Sequence, residues 1–151
     1  GGNMSSRLFI QIRERRGLAY MIRSGDEQFR DSGYLYIRAG LEAKNINKAI
    51  AVMKQEIAKL ATTGVSVREL SDAKTHLHGA VTLSMEDSSA QANWYARQAL
   101  FMDRIYTPEE RLQALDAVTR EDIKRLAKRV YDVKKMRVAI IGDIKEEAVK
   151  F

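Results

Sequence analysis

Ile12-Arg13-Glu14-Arg15-Arg16-Gly17-Leu18-Ala19-Tyr20 runs from a charged helix end, through one glycine, into an apolar stretch that carries a tyrosine. Upstream of it, Met4 to Arg16 has the spacing of a helix. Leu8 and Ile12 share one face with Phe9 beside them, and Ser5 or Ser6 can cap the start by accepting early backbone N–H groups. Gly17 falls where a helix C-terminus favours a residue tolerant of positive φ. Downstream, Leu18 to Ser24 predicts a strand. Gly33 to Ala39, with its run Tyr34-Leu35-Tyr36-Ile37-Arg38, predicts a second. The polar residues 25–32 between them make the pair a long hairpin. A tight turn of this kind brings the last helical turn and the head of the strand onto one patch. There an arginine fork can hold a carbonyl or carboxylate, and a phenol O–H can donate to a developing oxyanion. On spacing alone the plainer alternative, with Tyr20 packed in a sheet and the arginines solvated, stands ahead.

Beyond the hairpin the pattern is helical. Ile46, Ala49, Ile50, Met53, Ile57 and Leu60 recur at three- and four-residue steps over Asn45 to Ala61, and Gly64 ends the run. Ser66 with Glu69 three residues on is a capping box, opening a helix that carries Leu70, Ala73, Leu77, Ala80 and Val81. A break near Glu86-Asp87-Ser88-Ser89 precedes a helix from about Ser89 to Met102, with Ala92, Tyr95, Ala96, Ala99 and Leu100 as its apolar set. Thr107-Pro108-Glu109-Glu110 starts a further helix, and Thr119-Arg120-Glu121-Asp122 another that reaches about Tyr131. Met136 to Gly142 reads as a buried strand, and residues 145–151 as a tail that frays. Strands grouped apart from helices argue an α+β fold: a small, mainly antiparallel sheet packed against several helices. Three strands are few for so many helices. The chain also opens Gly1-Gly2-Asn3 without a methionine, so a fragment is expected, with a first strand and helix upstream.

Composition narrows the chemistry. The 151 residues are 45% hydrophobic and 30% charged, enough apolar material for a core and too much for disorder. Without cysteine there is no disulfide scaffold, thiol nucleophile or thiolate metal site. The two histidines, His76 and His78, sit two apart on a predicted helix and point roughly 200° from one another. They cannot share a metal, and Glu69 with His76 makes two ligands where a zinc site needs about three. No Gly-x-Ser-x-Gly elbow or phosphate-binding glycine loop occurs. The net charge of +6 gathers at Arg13, Arg15 and Arg16, and again at Lys124, Arg125, Lys128, Arg129, Lys134 and Lys135. Glu14, Glu121, Asp122 and Asp132 interleave with them, which fits a solvated helix face better than a nucleic-acid surface. No apolar run approaches the ~20 residues that span a bilayer.

Gly-Gly-Asn-Met-Ser-Ser-Arg-Leu-Phe at residues 1–9, followed by Ile-Arg-Glu-Arg-Arg-Gly-Leu-Ala-Tyr at 12–20, resembles the C-terminal half-domain of the insulinase/pitrilysin/mitochondrial processing peptidase family. Gly64-Val65-Ser66-Val67-Arg68-Glu69-Leu70, Asp116-Ala117-Val118-Thr119-Arg120-Glu121-Asp122 and the closing Val-Ala-Ile-Ile-Gly fall in the family's order, so the resemblance covers nearly the whole chain. It implies a zinc peptidase of two similar halves, or two subunits, closing like a clam shell around a peptide or unfolded substrate. The other half holds zinc through an inverted His-x-x-Glu-His motif, which is absent from this sequence. This half lends an arginine and, seven residues on, a tyrosine. By that count Arg13 binds substrate backbone and Tyr20 both binds substrate and steadies the tetrahedral intermediate. Residues 1–144 would be the half-domain, truncated at its N-terminus, and 145–151 the tail. The implied chain is inactive alone and needs zinc only in the intact enzyme, through ligands it does not carry. Its partners would be a peptide, a zinc-bearing half or subunit and, through an open sheet edge, another copy of itself. Nucleic acid and membrane span are not expected. The expected location is the bacterial cytoplasm, with a mitochondrion as the alternative. A non-catalytic relative, of the kind found as a core subunit of a respiratory complex, is the second reading.

Overall fold

The computed structural model describes residues 1–132 and 135–151. Lys134, counted above in the second basic run, lies outside the described residues. The chain divides into two compact units, one made of Gly1–Thr62 with Ala127–Phe151 and the other of Thr63–Leu126. The fold is α+β, a two-stranded antiparallel sheet with several helices.

The first unit is built on a hairpin, β1 (Met21–Gln28) and β2 (Gly33–Gly40), paired from Met21↔Gly40 to Gln28↔Gly33. The second strand begins at Gly33 as predicted. The first is displaced: Leu18 and Ala19 are buried outside the ladder, and β1 continues through Gly25-Asp26-Glu27-Gln28, leaving residues 29–32 as the turn. Cross-strand pairing has overridden the weak β preference of those polar residues. The first helix is also shorter than expected. Helical residues run from 7 to 14, with Phe9–Glu14 in a π-helical pitch. Asn3 competes for the start, its side-chain oxygen accepting from the Ser5 N–H (3.1 Å) and hydroxyl (3.0 Å). Met4 is left exposed in a turn, and Ser6 takes the cap by accepting from Phe9 N–H (3.4 Å).

α1 (Ile46–Thr62) completes the core of this unit. Leu8 and Ile12 of the first helix, Leu18, Ala19 and Ile22 of the hairpin stem, and Ala49 and Val52 of α1 form one buried cluster, with Phe9, Ile37, Ala39, Leu41 and Met53 packed on it. One expectation fails here. Met136 to Gly142 is not a buried strand: it joins no ladder, and Val138, Ile140 and Ile141 are exposed. The run has a strand's side chains, but a strand also needs a neighbour for its backbone, and the hairpin supplies none to it. The tail, expected to fray, makes specific contacts. Asn47 of α1 donates to Ala148 O (2.8 Å) and accepts from Lys150 N–H (2.8 Å), and Lys54 Nζ sits 4.0 Å from the Phe151 ring centroid.

The second unit holds α2 (Val67–Ser84), α3 (Ser88–Phe101) and α4 (Pro108–Asp116). The capping boxes at Ser66/Glu69 and Thr107/Glu110 form as read. So does the cap on α5 (Arg120–Val130), where the Thr119 hydroxyl accepts from Asp122 N–H (3.1 Å). α2 packs on α4, tied by His78 Nε2 to Asp116 Oδ1 (2.8 Å) and by Lys74 Nζ donating to Asp116 O (2.7 Å). On α3 the expected apolar set, Ala92, Tyr95, Ala96, Ala99 and Leu100, is exposed, and the buried position is Gln98. Gln98 is buried because its amide closes hydrogen bonds to a loop eight residues on, a demand that periodicity does not register.

Candidate functional site

The end of the first helix is built one residue wide. Arg15 N–H donates to Ile10 O (2.9 Å), Gly17 N–H to Arg13 O (3.0 Å) and Leu18 N–H to Ile12 O (2.9 Å). The last two are the paired bonds of a Schellman closure, each spanning one residue more than in an α-helix. That widening follows from the π pitch of the preceding turns, a geometry that is rare and recurs at functional sites. Gly17 completes the reversal at φ +57°, where a Cβ would be penalised.

The reversal drops Leu18 and Ala19 into the core and brings the next residue out. Tyr20 is 75% exposed. Its N–H donates to Gly40 O (2.9 Å), and its ring lies across Gly40, where an added Cβ would overlap the ring's Cζ and Oη. The missing side chain is the seat. The same device recurs inside the hairpin, where Gly25 opposes Tyr36 and a Cβ on Gly25 would come within 2.6 Å of the Tyr36 hydroxyl. Sequence reading named Tyr20 but missed Gly40. The signal was available in the register, since a hairpin closing near Gln28 and Gly33 brings Gly40 beside residues 20–21.

Arg13 is held separately. Its guanidinium lies 4.8 Å from the Phe9 ring centroid, its Nε is 3.9 Å from Glu14 Oε1, and its side chain is half-exposed. Arg16 is committed elsewhere, donating to Gln11 O (2.8 Å) and Gln11 Oε1 (2.6 Å). Arg15 is exposed. Among the described residues, no hydrogen bond, ion pair or ring contact joins Arg13 to Tyr20. Tyr20 is exposed and the Arg13 side chain half-exposed. Among the described residues no cluster of three or more His, Cys, Asp or Glu side chains could hold a metal ion. His78 is engaged with Asp116, His76 is exposed, and Glu69 accepts from Ser66 N–H (2.7 Å) in its capping box.

Comparison with known proteins bears on this geometry. A family described as "Peptidase M16 inactive domain" matches residues 1–77, the part that contains both Arg13 and Tyr20. An uncharacterized zinc protease of Bacillus subtilis, YmxG, is 31% identical over 131 residues, covering 87% of this chain and 32% of the relative. An uncharacterized zinc protease of Mycobacterium leprae is 34% identical over 142 residues, covering 94% and 32%. The chain thus spans about a third (32%) of the length of these curated relatives. Among solved structures, a peptidase M16 inactive domain from Pseudomonas fluorescens superposes with a TM-score of 0.80 at 23% identity over 89% of this chain and 32% of that one. A conserved protein from Enterococcus faecalis does so with a TM-score of 0.76 at 26% identity over 85% and 30%. Among the described residues no helix is long and apolar enough to cross a membrane.

Proposed function

We infer that this chain, which belongs to the peptidase M16 inactive-domain family, is the substrate-clamping part of a zinc endopeptidase. Zinc and its ligands reside in another domain or a partner subunit, and this chain alone cuts nothing. Residues 1–144 act as the half-domain and 145–151 as its tail. A peptide or unfolded segment enters between the two halves. Tyr20 donates its phenol proton in a hydrogen bond to the carbonyl oxygen as that oxygen gains charge, and Arg13 holds the substrate backbone with its fork. A bacterial cytoplasmic setting fits relatives that are bacterial. The open edges of the two-stranded sheet suit pairing with the zinc-bearing half or a second copy.

One observation carries the reading. Tyr20 is exposed at the head of the hairpin, with its ring supported on Gly40. The alternative, a structural subunit like a respiratory-complex core protein, has no need of an exposed arginine and tyrosine at this turn. In the assembled peptidase, Tyr20→Phe should lower kcat by about 10²-fold with KM little changed, the loss expected for one donor that acts on the transition state. Arg13→Lys should raise KM, because a point charge does not replace a fork. Unimpaired turnover in Tyr20→Phe removes Tyr20 from the chemistry, and normal cleavage by Arg13→Lys removes Arg13 from the substrate path.

A further inference from the structure

Within Thr63–Leu126, Tyr106 is fixed by its backbone and flanked at its ring. Buried Gln98 reaches that backbone twice: its Oε1 accepts from Tyr106 N–H (3.0 Å), and its Nε2 donates to Tyr106 O (3.0 Å). Trp94 Nε1 donates to the same carbonyl (3.0 Å). Two guanidinium groups lie against the ring, Arg104 at 4.7 Å and Arg111 at 4.5 Å from its centroid. Arg104 is neutralised by Glu110 Oε1 (2.6 Å), and the other Glu110 oxygen accepts from Thr107 N–H (2.9 Å) in the helix cap. Both Glu110 oxygens are therefore engaged. Arg111 has no carboxylate partner among the described residues; it donates to the Met102 sulfur (3.1 Å), a weak acceptor. Arg104, Tyr106, Glu110 and Arg111, with Gln113 and Ala114, line an open cavity of about 530 Å³.

We propose that this cavity is a binding subsite for a carboxylate carried by a peptide, with the Arg111 guanidinium as its anchor. Two guanidiniums and one carboxylate leave a single surplus positive charge, which matches a monoanion better than a phosphate dianion. The guanidinium is planar and can offer two parallel N–H donors, the geometry a carboxylate accepts. Stacking on a ring whose backbone is already fixed restricts Arg111 beforehand, so less side-chain ordering opposes binding. The peptide as carrier rests on the peptidase reading above; the carboxylate subsite itself does not rest on the role given to Arg13 and Tyr20, and it is tested by binding to this chain alone.

Trp94 is the single tryptophan, and its indole N–H is bonded to the Tyr106 carbonyl, so its ¹H–¹⁵N resonance reports on the site. The chain is titrated with four probes. One is an amidated acetyl-peptide with an internal glutamate, one the same peptide with glutamine, one an all-alanine acetyl-peptide with a free C-terminal carboxylate, and one inorganic phosphate. A saturable shift is expected with at least one carboxylate peptide and not with the glutamine peptide. Whichever carboxylate binds identifies the source as side chain or chain end. Arg111→Gln should weaken binding by about tenfold or more, the loss of a charge-assisted pair. Arg111→Lys, which keeps the charge and loses the fork, should fall between. No shift with either carboxylate overturns the proposal, as do an equal shift with the glutamine peptide and a response to phosphate alone. Circular dichroism establishes which variants fold, and wild-type affinity in any folded variant also overturns it.

Discussion

Replacing Gly40 by alanine separates the seat of Tyr20 from the stability of the fold. A Cβ on Gly40 overlaps Cζ, Oη and Cε1 of Tyr20, whereas non-bonded carbons settle about 3.5–4.0 Å apart. The ring must therefore retreat by roughly 1 Å or more. What moves is the far end of an exposed side chain, so the stability cost is that of one cross-strand aromatic contact, about 0.2–1 kcal/mol. The lower entropy of the unfolded alanine chain offsets part of it. The thermal midpoint of this chain should shift by no more than about 4 °C. Turnover should respond far more strongly, because a misplacement of about 1 Å can lower a rate by ~10²-fold, close to 2.7 kcal/mol. The assay is peptide cleavage by the assembled peptidase carrying Gly40→Ala, Tyr20→Phe or both. If both substitutions act through one phenol, the double variant loses about 10²-fold, as each single one does. If they are independent, the losses multiply toward ~10⁴-fold. Full turnover in Gly40→Ala, or a multiplicative double variant, refutes the idea that Gly40 seats a working Tyr20.

Three further outcomes are expected. Ile12 is fully buried beneath the turn that carries Arg13, so Ile12→Ala should destabilise by about 2–5 kcal/mol and lower the melting temperature by roughly 5–15 °C; a shift within error would mean the core cluster does not anchor that turn. The Asp122 carboxylate accepts from the Thr119 hydroxyl (2.7 Å) and N–H (3.0 Å), with Arg125 beside it, and its pKa is held below the ordinary aspartate range. Because the folded value is the lower one, this contribution is present above the ordinary aspartate pKa and is lost as pH falls from there through the folded value. Asp122→Asn should flatten that acid limb in a circular-dichroism titration, and an unchanged limb would assign it to other carboxylates. Elemental analysis of this chain should find far less than one zinc per molecule; a full equivalent would place zinc ligands here and not in a partner.

The parts of the fold that were legible depend on residues within about four positions of one another. Gly17 as a helix stop, the capping boxes at Ser66/Glu69 and Thr107/Glu110, and Gly33 as a strand start are local bargains between a side chain and nearby backbone. What failed depended on distant partners. Met136 to Gly142 is apolar enough for a buried strand, but a ladder requires a second backbone at the right place. Gly25 to Gln28 look like a turn and form a strand because Gly33–Tyr36 stand opposite. α3 reads as a helix with an apolar face, yet Gln98 is its buried residue, since the loop at Tyr106 needs a donor and an acceptor there. The candidate site divides the same way. Arg13 and Tyr20 were singled out by the family resemblance that one short motif carries, its spacing alone favouring the plainer alternative, whereas the glycine beneath Tyr20 lies twenty residues along the chain and becomes visible only through strand register.

A phenol that must meet a substrate poses a physical conflict. Packing would fix the ring but remove its hydroxyl from reach, and full exposure would leave it to wander among rotamers. A glycine seat resolves the conflict, because backbone supports one face of the ring without enclosing it, and the N–H of Tyr20 is tied to the same residue's carbonyl. On the role proposed for Tyr20, holding its side chain before binding would spare about 0.5–1.5 kcal/mol of ordering. Tyr106 shows a second solution, with the backbone clamped by Gln98 and Trp94 and the ring left free for guanidinium groups to lie on. The support is backbone in both, beneath the ring of Tyr20 and along the main chain of Tyr106. The Tyr20 ring, exposed yet supported on Gly40, is thus a different object from an exposed ring on a helix face such as that of Tyr95. The first kind is where binding function should be sought.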